Sequence, residues 1–124
     1  MLTICKQHFF LFRIIFEHDT HVAGIIAGNT YGIAPKSNII SVKVLDKKGN
    51  GNTDDIIKGI EWVIRNKQKY NIRIINISVG TLPKVGNNEK TKLVKCVDNA
   101  WNNGLVVVVA AGVGVIIGKM EMII

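Results

Sequence analysis

Two histidines stand three residues apart in the first fifth of the chain, His18 and His21. Histidine is the side chain whose ordinary pKa lies nearest to neutral pH, so it is the usual general base in enzymes. Residues three apart lie on one side of a helical turn, and the small residues of the following segment, 22–28, allow a helix to pack closely. The pattern predicts a buried helix that holds a histidine rigidly at its amino end, as proton transfer requires.

The segment HDTHVAGIIAG over 18–28 resembles the histidine motif of the subtilisin-like serine proteases, H-G-T-H-V-A-G. The resemblance implies that His18 is the catalytic base and that His21 is structural, with Asp19 in place of the usual glycine. A histidine on its own would fit a surface or capping role, but here its neighbours match in register. In that family a serine attacks the peptide carbonyl, the histidine takes the serine proton and an aspartate orients the imidazole.

Three further segments resemble the same family and imply the walls of a cleft for an extended peptide. They consist of Gly49, Asn50 and Gly51; Ser78, Val79 and Gly80; and Ala110, Ala111 and Gly112. The first would be an edge strand whose glycines let a substrate backbone approach closely, although a flexible turn is the alternative. The second is the opposite wall, in which the serine is not the nucleophile. The third lines the pocket for the residue before the scissile bond.

Other parts of the family mechanism have no match in this sequence. No aspartate precedes His18. Val113 stands where the family has an asparagine that donates to the oxyanion, and loss of such a donor costs on the order of a hundredfold in rate. The G-T-S-M-A segment of the nucleophile is absent, and none of Ser37, Ser41 and Ser78 lies in such a motif. The sequence therefore predicts a chain that is inactive by itself.

Strands and helices alternate along the chain. Strands are predicted over 38–45, 72–77 and 105–110, and helices from an N-cap at Thr53 and over 90–102. Near-continuous apolar strands are typical of a parallel sheet that is covered on both faces. The predicted fold is therefore α/β, a parallel sheet with right-handed crossovers and helices on both faces, subtilisin-like but incomplete.

The resemblance divides the chain into three parts. Residues 1–17 do not match the family, residues 18–112 form a partial catalytic domain, and residues 113–124 diverge again. The apolar run from Phe9 to Phe16 is too short for a membrane span and lacks the features of an export signal. Relatives are often secreted, yet this sequence does not indicate a location.

Charge does not indicate a nucleic-acid partner. The 124-residue chain has a net charge of +7, but its lysines are scattered between Lys36 and Lys95 without a basic block. Two cysteines, Cys5 and Cys96, cannot form a disulfide framework, and Cys96 has the helical spacing of a core residue. The expected partner is instead a peptide or protein substrate in extended conformation.

No metal or cofactor is expected. The loop over 29–32 is too short to supply the calcium ligands that some subtilases place there. The glycines of 112–118 follow a strand, but too few residues come after them for a dinucleotide site.

Three hypotheses follow for the chain as a whole. It is a subtilisin-like protease segment without activity of its own, or a non-catalytic module that holds extended peptides between the two cleft walls. The third is a non-functional fragment of a broken protease reading frame. That hypothesis predicts a molten chain with exposed strand edges.

Overall fold

The computed structural model describes residues 2–6, 17–44, 51–78 and 86–110, with residues 2–6 and 17–20 described as backbone alone. The elements are β1 (Leu2–Lys6), α1 (Glu17–Ala27), β2 (Asn38–Val42), α2 (Thr53–Asn66), β3 (Ile74–Ile77), α3 (Asn87–Asn102) and β4 (Val106–Val109). The predicted strands and helices are all present. The strands are shorter than predicted, and α3 begins three residues earlier.

Helix α2 begins where an asparagine caps it. The Oδ1 atom of Asn52 accepts a hydrogen bond from the backbone N–H of Asp55 at 2.7 Å, and its Nδ2 atom donates to Asp55 Oδ2 at 2.8 Å. The prediction of Thr53 as the N-cap is therefore wrong by one residue, and Thr53 is buried at the first helical position. Asp54 and Asp55 occupy the first turn, where the helix dipole favours negative charge.

Helices α2 and α3 pack against each other on one face of the sheet and form the core with it. The buried apolar residues are Val44, Ile56, Ile60, Val63, Ile72, Ile75, Ile77, Cys96, Val97, Ala100 and Leu105. On α2, Ile56, Ile60 and Val63 recur at helical spacing and are buried, whereas Ile64 is only partly buried. Cys96 is confirmed as a core residue, whereas Trp101 of α3 is 54% exposed.

Helix α3 ends at Asn102 as predicted, and Asn103 and Gly104 follow it. Gly104 has a φ of 78°, a left-handed conformation that glycine adopts at little cost. The next residue, Leu105, donates its N–H to the carbonyl of Ala100 at 3.2 Å, which turns the chain directly into β4. The Nζ atom of Lys67, just after α2, donates to the carbonyl of Asn103 and links the two helices at this end.

The sheet has the strand order β2-β1-β3-β4. Strands β3 and β4 are parallel neighbours, and β1 is antiparallel to both β2 and β3. It follows that β2, β3 and β4 run in one direction, as the α/β prediction requires. Strand β1 lies in residues 1–17, for which no strand was predicted, and it separates β2 from β3.

Two helices cover one face of the sheet, and the opposite face of β3 and β4 stays open among the described residues. Ile74, Val106 and Val108 point to this open face and are 38%, 47% and 49% exposed. Helix α1 packs against β2 and does not join the buried core formed by α2 and α3. Helices were expected on both faces of the sheet. Helices α2 and α3 cover one face, and no described helix covers β3 and β4 on the other.

Candidate functional site

The histidine motif folds as the first turns of α1. His18 is the second residue of this helix and His21 follows one turn later with an exposed side chain. A Cβ atom built on Gly24 would meet nothing within 4 Å, whereas Ala23 and Ala27 are partly buried. Ile25 is 61% exposed. Helix α1 is therefore half-buried among the described residues and not fully buried as expected.

The carboxyl end of α1 is fixed by a returning segment of backbone. Gly28 donates its N–H to the carbonyl of Gly24 at 2.9 Å, which continues the helical pattern for one further residue. Ile33 donates to the carbonyl of Ile25 at 3.1 Å, and Ala34 donates to that of Ile26 at 2.8 Å. These bonds satisfy helix-end carbonyls that would otherwise lack partners. They also set the position of α1 relative to β2, which starts four residues after Ala34.

Two predicted substrate-binding residues meet at the carboxyl edge of the parallel strands. Ser78 directly follows β3 and Ala110 directly follows β4. Ala110 donates its N–H to the carbonyl of Ile77 at 3.1 Å, so the parallel pairing extends to this edge. Ligands of open α/β sheets bind outside the carboxyl ends of the strands, and Ser78 and Ala110 lie at that edge.

Asn76 is a further polar residue at this edge. Its Nδ2 atom donates to the Oγ atom of Ser78 at 2.7 Å, which fixes the serine side chain. Residues two apart on a strand share a face, so Asn76 and Ser78 lie on the open face together with Val106 and Val108. The sequence contained a sign of this polar pair, because an asparagine two residues before a strand-end serine interrupts an otherwise apolar strand. It was not recognised as part of the site.

Gly51 is the remaining described member of the predicted cleft. It is exposed and lies one residue before the N-cap of α2. The other predicted cleft residues lie outside the described part of the chain: Gly49, Asn50, Val79, Gly80, Ala111 and Gly112. Val113 lies outside it as well. The assembly of the two cleft walls around His18 thus remains a prediction.

Cys96 is the one thiol among the side chains that the structure describes, and it does not belong to this site. Burial raises the pKa of the Cys96 thiol, with a smaller contribution from the negative charge of Glu61. Its Sγ atom lies 3.8 Å from the carbonyl oxygen of Ile57, between α2 and α3. A buried thiol with a raised pKa is unreactive, so Cys96 serves packing and not chemistry.

No group of three or more metal-ligating side chains is found among the described residues. Within the same part of the chain, none of the helices has the length and apolar character to cross a membrane.

The α/β layer, the parallel strands and the histidine-bearing helix define a subtilisin-like fold, of which this chain contains a part. The sequence profile of the subtilase family matches residues 16–117, and the chain belongs to that family. It is 43% identical over 98 residues to subtilisin-like protease 5 of Trichophyton tonsurans, covering 77% of this chain and 23% of that protein.

Two other relatives give the same result. A cuticle-degrading serine protease of Orbilia oligospora is 40% identical over 95 residues, which cover 77% of this chain and 21% of the relative. Subtilisin-like protease 3 of Arthroderma otae is 42% identical over 98 residues, with 77% and 23% covered. The chain thus spans less than a quarter of the length of these curated relatives.

Proposed function

We propose that this chain provides the histidine-bearing segment of a subtilisin-like serine endopeptidase, with His18 as the general base of peptide-bond hydrolysis. The observation that carries the proposal is the family match over residues 16–117, which includes both the histidine motif and the candidate cleft residues. Residues 18–112 would form the family core, with 1–17 and 113–124 outside it. The substrate class would be peptides or proteins in extended conformation.

The position of α1 supports a role for His18 at the carboxyl edge of the strands. The carboxyl end of α1 is tied to the segment that enters β2, and the helix packs on that strand. An 11-residue helix is about 16 Å long, so its amino end can lie toward the opposite end of β2. That is the end of the sheet at which Ser78 follows β3 and Ala110 follows β4.

We further propose that the 124-residue chain does not hydrolyse peptides by itself. Proton transfer from a nucleophile needs the nucleophile within hydrogen-bond reach of the base, and stabilising the oxyanion needs preorganised donors. In this sequence no serine occurs in a family nucleophile motif, and Val113 cannot donate a side-chain hydrogen bond. The histidine would have neither its acid–base partner nor the oxyanion donor.

A chromogenic peptide assay tests this proposal. The purified chain should release no more chromophore than its His18→Ala variant, and a serine-directed fluorophosphonate should label neither protein. Hydrolysis that disappears in His18→Ala would overturn the claim of inactivity while supporting the role of His18. The His21→Ala variant is the matched control, because its histidine lies on the same helix without a proposed catalytic role.

A second candidate function is non-catalytic binding of extended peptides. It is favoured by the adjacent positions of Ser78 and Ala110 at an edge where Ala110 is exposed. Calorimetric titration with uncharged extended peptides should show saturable binding that Ala110→Phe abolishes, because the larger side chain fills the position proposed for the peptide. The Trp101→Ala variant, altered on an exposed position of α3, should bind as the original chain does. Absence of saturable binding would remove this candidate.

A further inference from the structure

The turn between α3 and β4 contains an asparagine followed by a glycine, Asn103 and Gly104. Asparagine is a chemically labile residue, and its side-chain amide can be attacked by the backbone nitrogen of the next residue. Glycine in the next position makes the attack easiest, because it has no Cβ atom to hinder the approach. The sequence has one other such pair, Asn50 and Gly51, before α2. Asn103 and Gly104 have no part in the proposed protease function.

The native hydrogen bonds hold both reacting groups of this pair apart. The Nδ2 atom of Asn103 donates to the carbonyl oxygen of Asn99 at 2.8 Å and to Asn99 Oδ1 at 3.1 Å, so the amide is directed back along α3. The N–H of Gly104 donates to the carbonyl of Trp101 at 2.8 Å. Ring closure requires the Gly104 nitrogen to lose its proton and to reach the Cγ atom of Asn103. These hydrogen bonds must therefore break before the reaction can occur.

A contact from α2 holds the same peptide group. The Nζ atom of the half-buried Lys67 donates to the carbonyl of Asn103, which is bonded directly to the Gly104 nitrogen. A cation at the carboxyl end of a helix is also stabilised by the helix dipole. Because the reaction requires this end of α3 to open, Lys67 opposes the opening and takes no part in the chemistry.

We propose that Asn103 is a latent deamidation site, which the native fold keeps closed and which local opening of the α3 end releases. In the reaction a bond forms between the Gly104 nitrogen and Asn103 Cγ, and the bond from Cγ to Nδ2 breaks. Nδ2 leaves as ammonia with the proton of the Gly104 N–H. Water then opens the cyclic imide at either carbonyl, which yields aspartate or isoaspartate.

Isoaspartate at this position would change the path of the chain into β4. It adds one carbon atom to the main chain immediately before Gly104, and the next residue, Leu105, is 2% exposed in the core. The Leu105 N–H donates to the carbonyl of Ala100 at 3.2 Å, a hydrogen bond that the longer main chain displaces. A chain modified while open therefore cannot recover the native turn.

Peptide mapping by mass spectrometry, after incubation in a mildly alkaline buffer, tests the proposal. In guanidinium chloride Asn103 should deamidate about as fast as Asn50, because both precede glycine. In native buffer Asn103 should react at least about tenfold more slowly than in denaturant, because the reactive conformation then requires local opening. Asn103→Gln should retain its amide under both conditions, because the longer side chain would have to close a larger ring.

Two lysine variants separate the contact to Asn103 from a general effect of charge. Lys67→Met removes that contact and keeps an unbranched side chain, so it should accelerate native deamidation of Asn103 several-fold. Lys95→Met removes the same charge from an exposed position of α3 and should leave the rate unchanged. After long incubation in denaturant and its removal, the original chain should regain less helical circular dichroism than Asn103→Gln.

Four results would overturn the proposal. The first is an equal rate at Asn103 in native buffer and in denaturant, and the second is an Asn103 that keeps its amide in denaturant while Asn50 loses its own. The third is a Lys67→Met variant that reacts no faster than Lys95→Met. The fourth is equal recovery of the original chain and Asn103→Gln, which would contradict the effect of isoaspartate on the turn.

Discussion

Two neighbouring isoleucines of β3 test whether the described fold is a packed structure or a molten one. Ile75 points into the α2–α3 core and is 0% exposed, whereas Ile74 points to the open face and is 38% exposed. Replacing each by alanine removes the same three carbon atoms from the same strand. The loss of β-propensity is therefore nearly equal, and the difference in stability reports the difference in packing.

The expected costs follow from burial. Three buried carbon groups are worth about 2.4 kcal/mol at about 0.8 kcal/mol each, and the residual cavity raises the cost of Ile75→Ala to about 3–4 kcal/mol. Ile74→Ala removes groups that are only partly buried and leaves no closed cavity, so its cost is about 1.5 kcal/mol. The two variants should thus differ by about 2 kcal/mol in the free energy of unfolding.

Urea denaturation followed by circular dichroism measures this difference. With a slope of about 2 kcal/mol per molar, Ile75→Ala should unfold at a urea concentration about 1 M lower than Ile74→Ala. If Ile75→Ala does not fold, Ile75→Val should still cost about 1 kcal/mol. Equal midpoints for the two alanine variants, or a broad transition without cooperativity in the original chain, would refute the packing described here. The second result would support the hypothesis of a non-functional fragment.

Three other outcomes are expected. Asn52→Ala should destabilise the chain by about 1 kcal/mol in urea denaturation, because α2 loses its cap, whereas Asn52→Asp should retain much of the stability; an unchanged Asn52→Ala would contradict the assigned cap. Gly24→Ala should raise the midpoint of thermal unfolding, because alanine favours the helix and its Cβ atom meets no neighbour there. Gly28→Ala should lower the midpoint, because the new Cβ atom would lie 2.5 Å from the Gly24 carbonyl oxygen. Burial raises the pKa of the Cys96 thiol in the folded chain, so the free energy of unfolding should fall as pH rises above the ordinary thiol value of 9.0. Cys96→Ala should reduce this fall. An identical pH dependence in both proteins would argue against a buried neutral thiol.

The sequence predicted the elements better than their arrangement. Apolar periodicity identified α2, α3 and their core residues because burial on one helical face leaves a regular pattern. Residues 2–6 contain alternating residues that suit a strand, but five residues give too weak a pattern to reveal where in a sheet they pair. Neither the antiparallel direction of β1 nor its position between β2 and β3 follows from local sequence.

The candidate site was predicted mainly through motifs, and its details depended on contacts between elements. Ser78 and Ala110 were identified separately, and their adjacency follows from the parallel pairing of β3 and β4. The hydrogen bond from Asn76 to Ser78 requires the strand geometry to be known. The exposure of Gly24 and Ile25 could not be predicted, because helical periodicity gives the apolar face without stating what covers it.

The direction of β1 has a practical consequence for the production of this protein. Leu2 pairs with both Val42 and Ile77, so β1 begins at the edge of the sheet next to Ser78 and ends at the other edge. Any affinity tag or fusion partner joined before Met1 would leave the sheet beside Ser78 and Ala110 and could occupy the same space as a bound peptide. Binding assays are therefore better performed on protein from which such an extension has been removed.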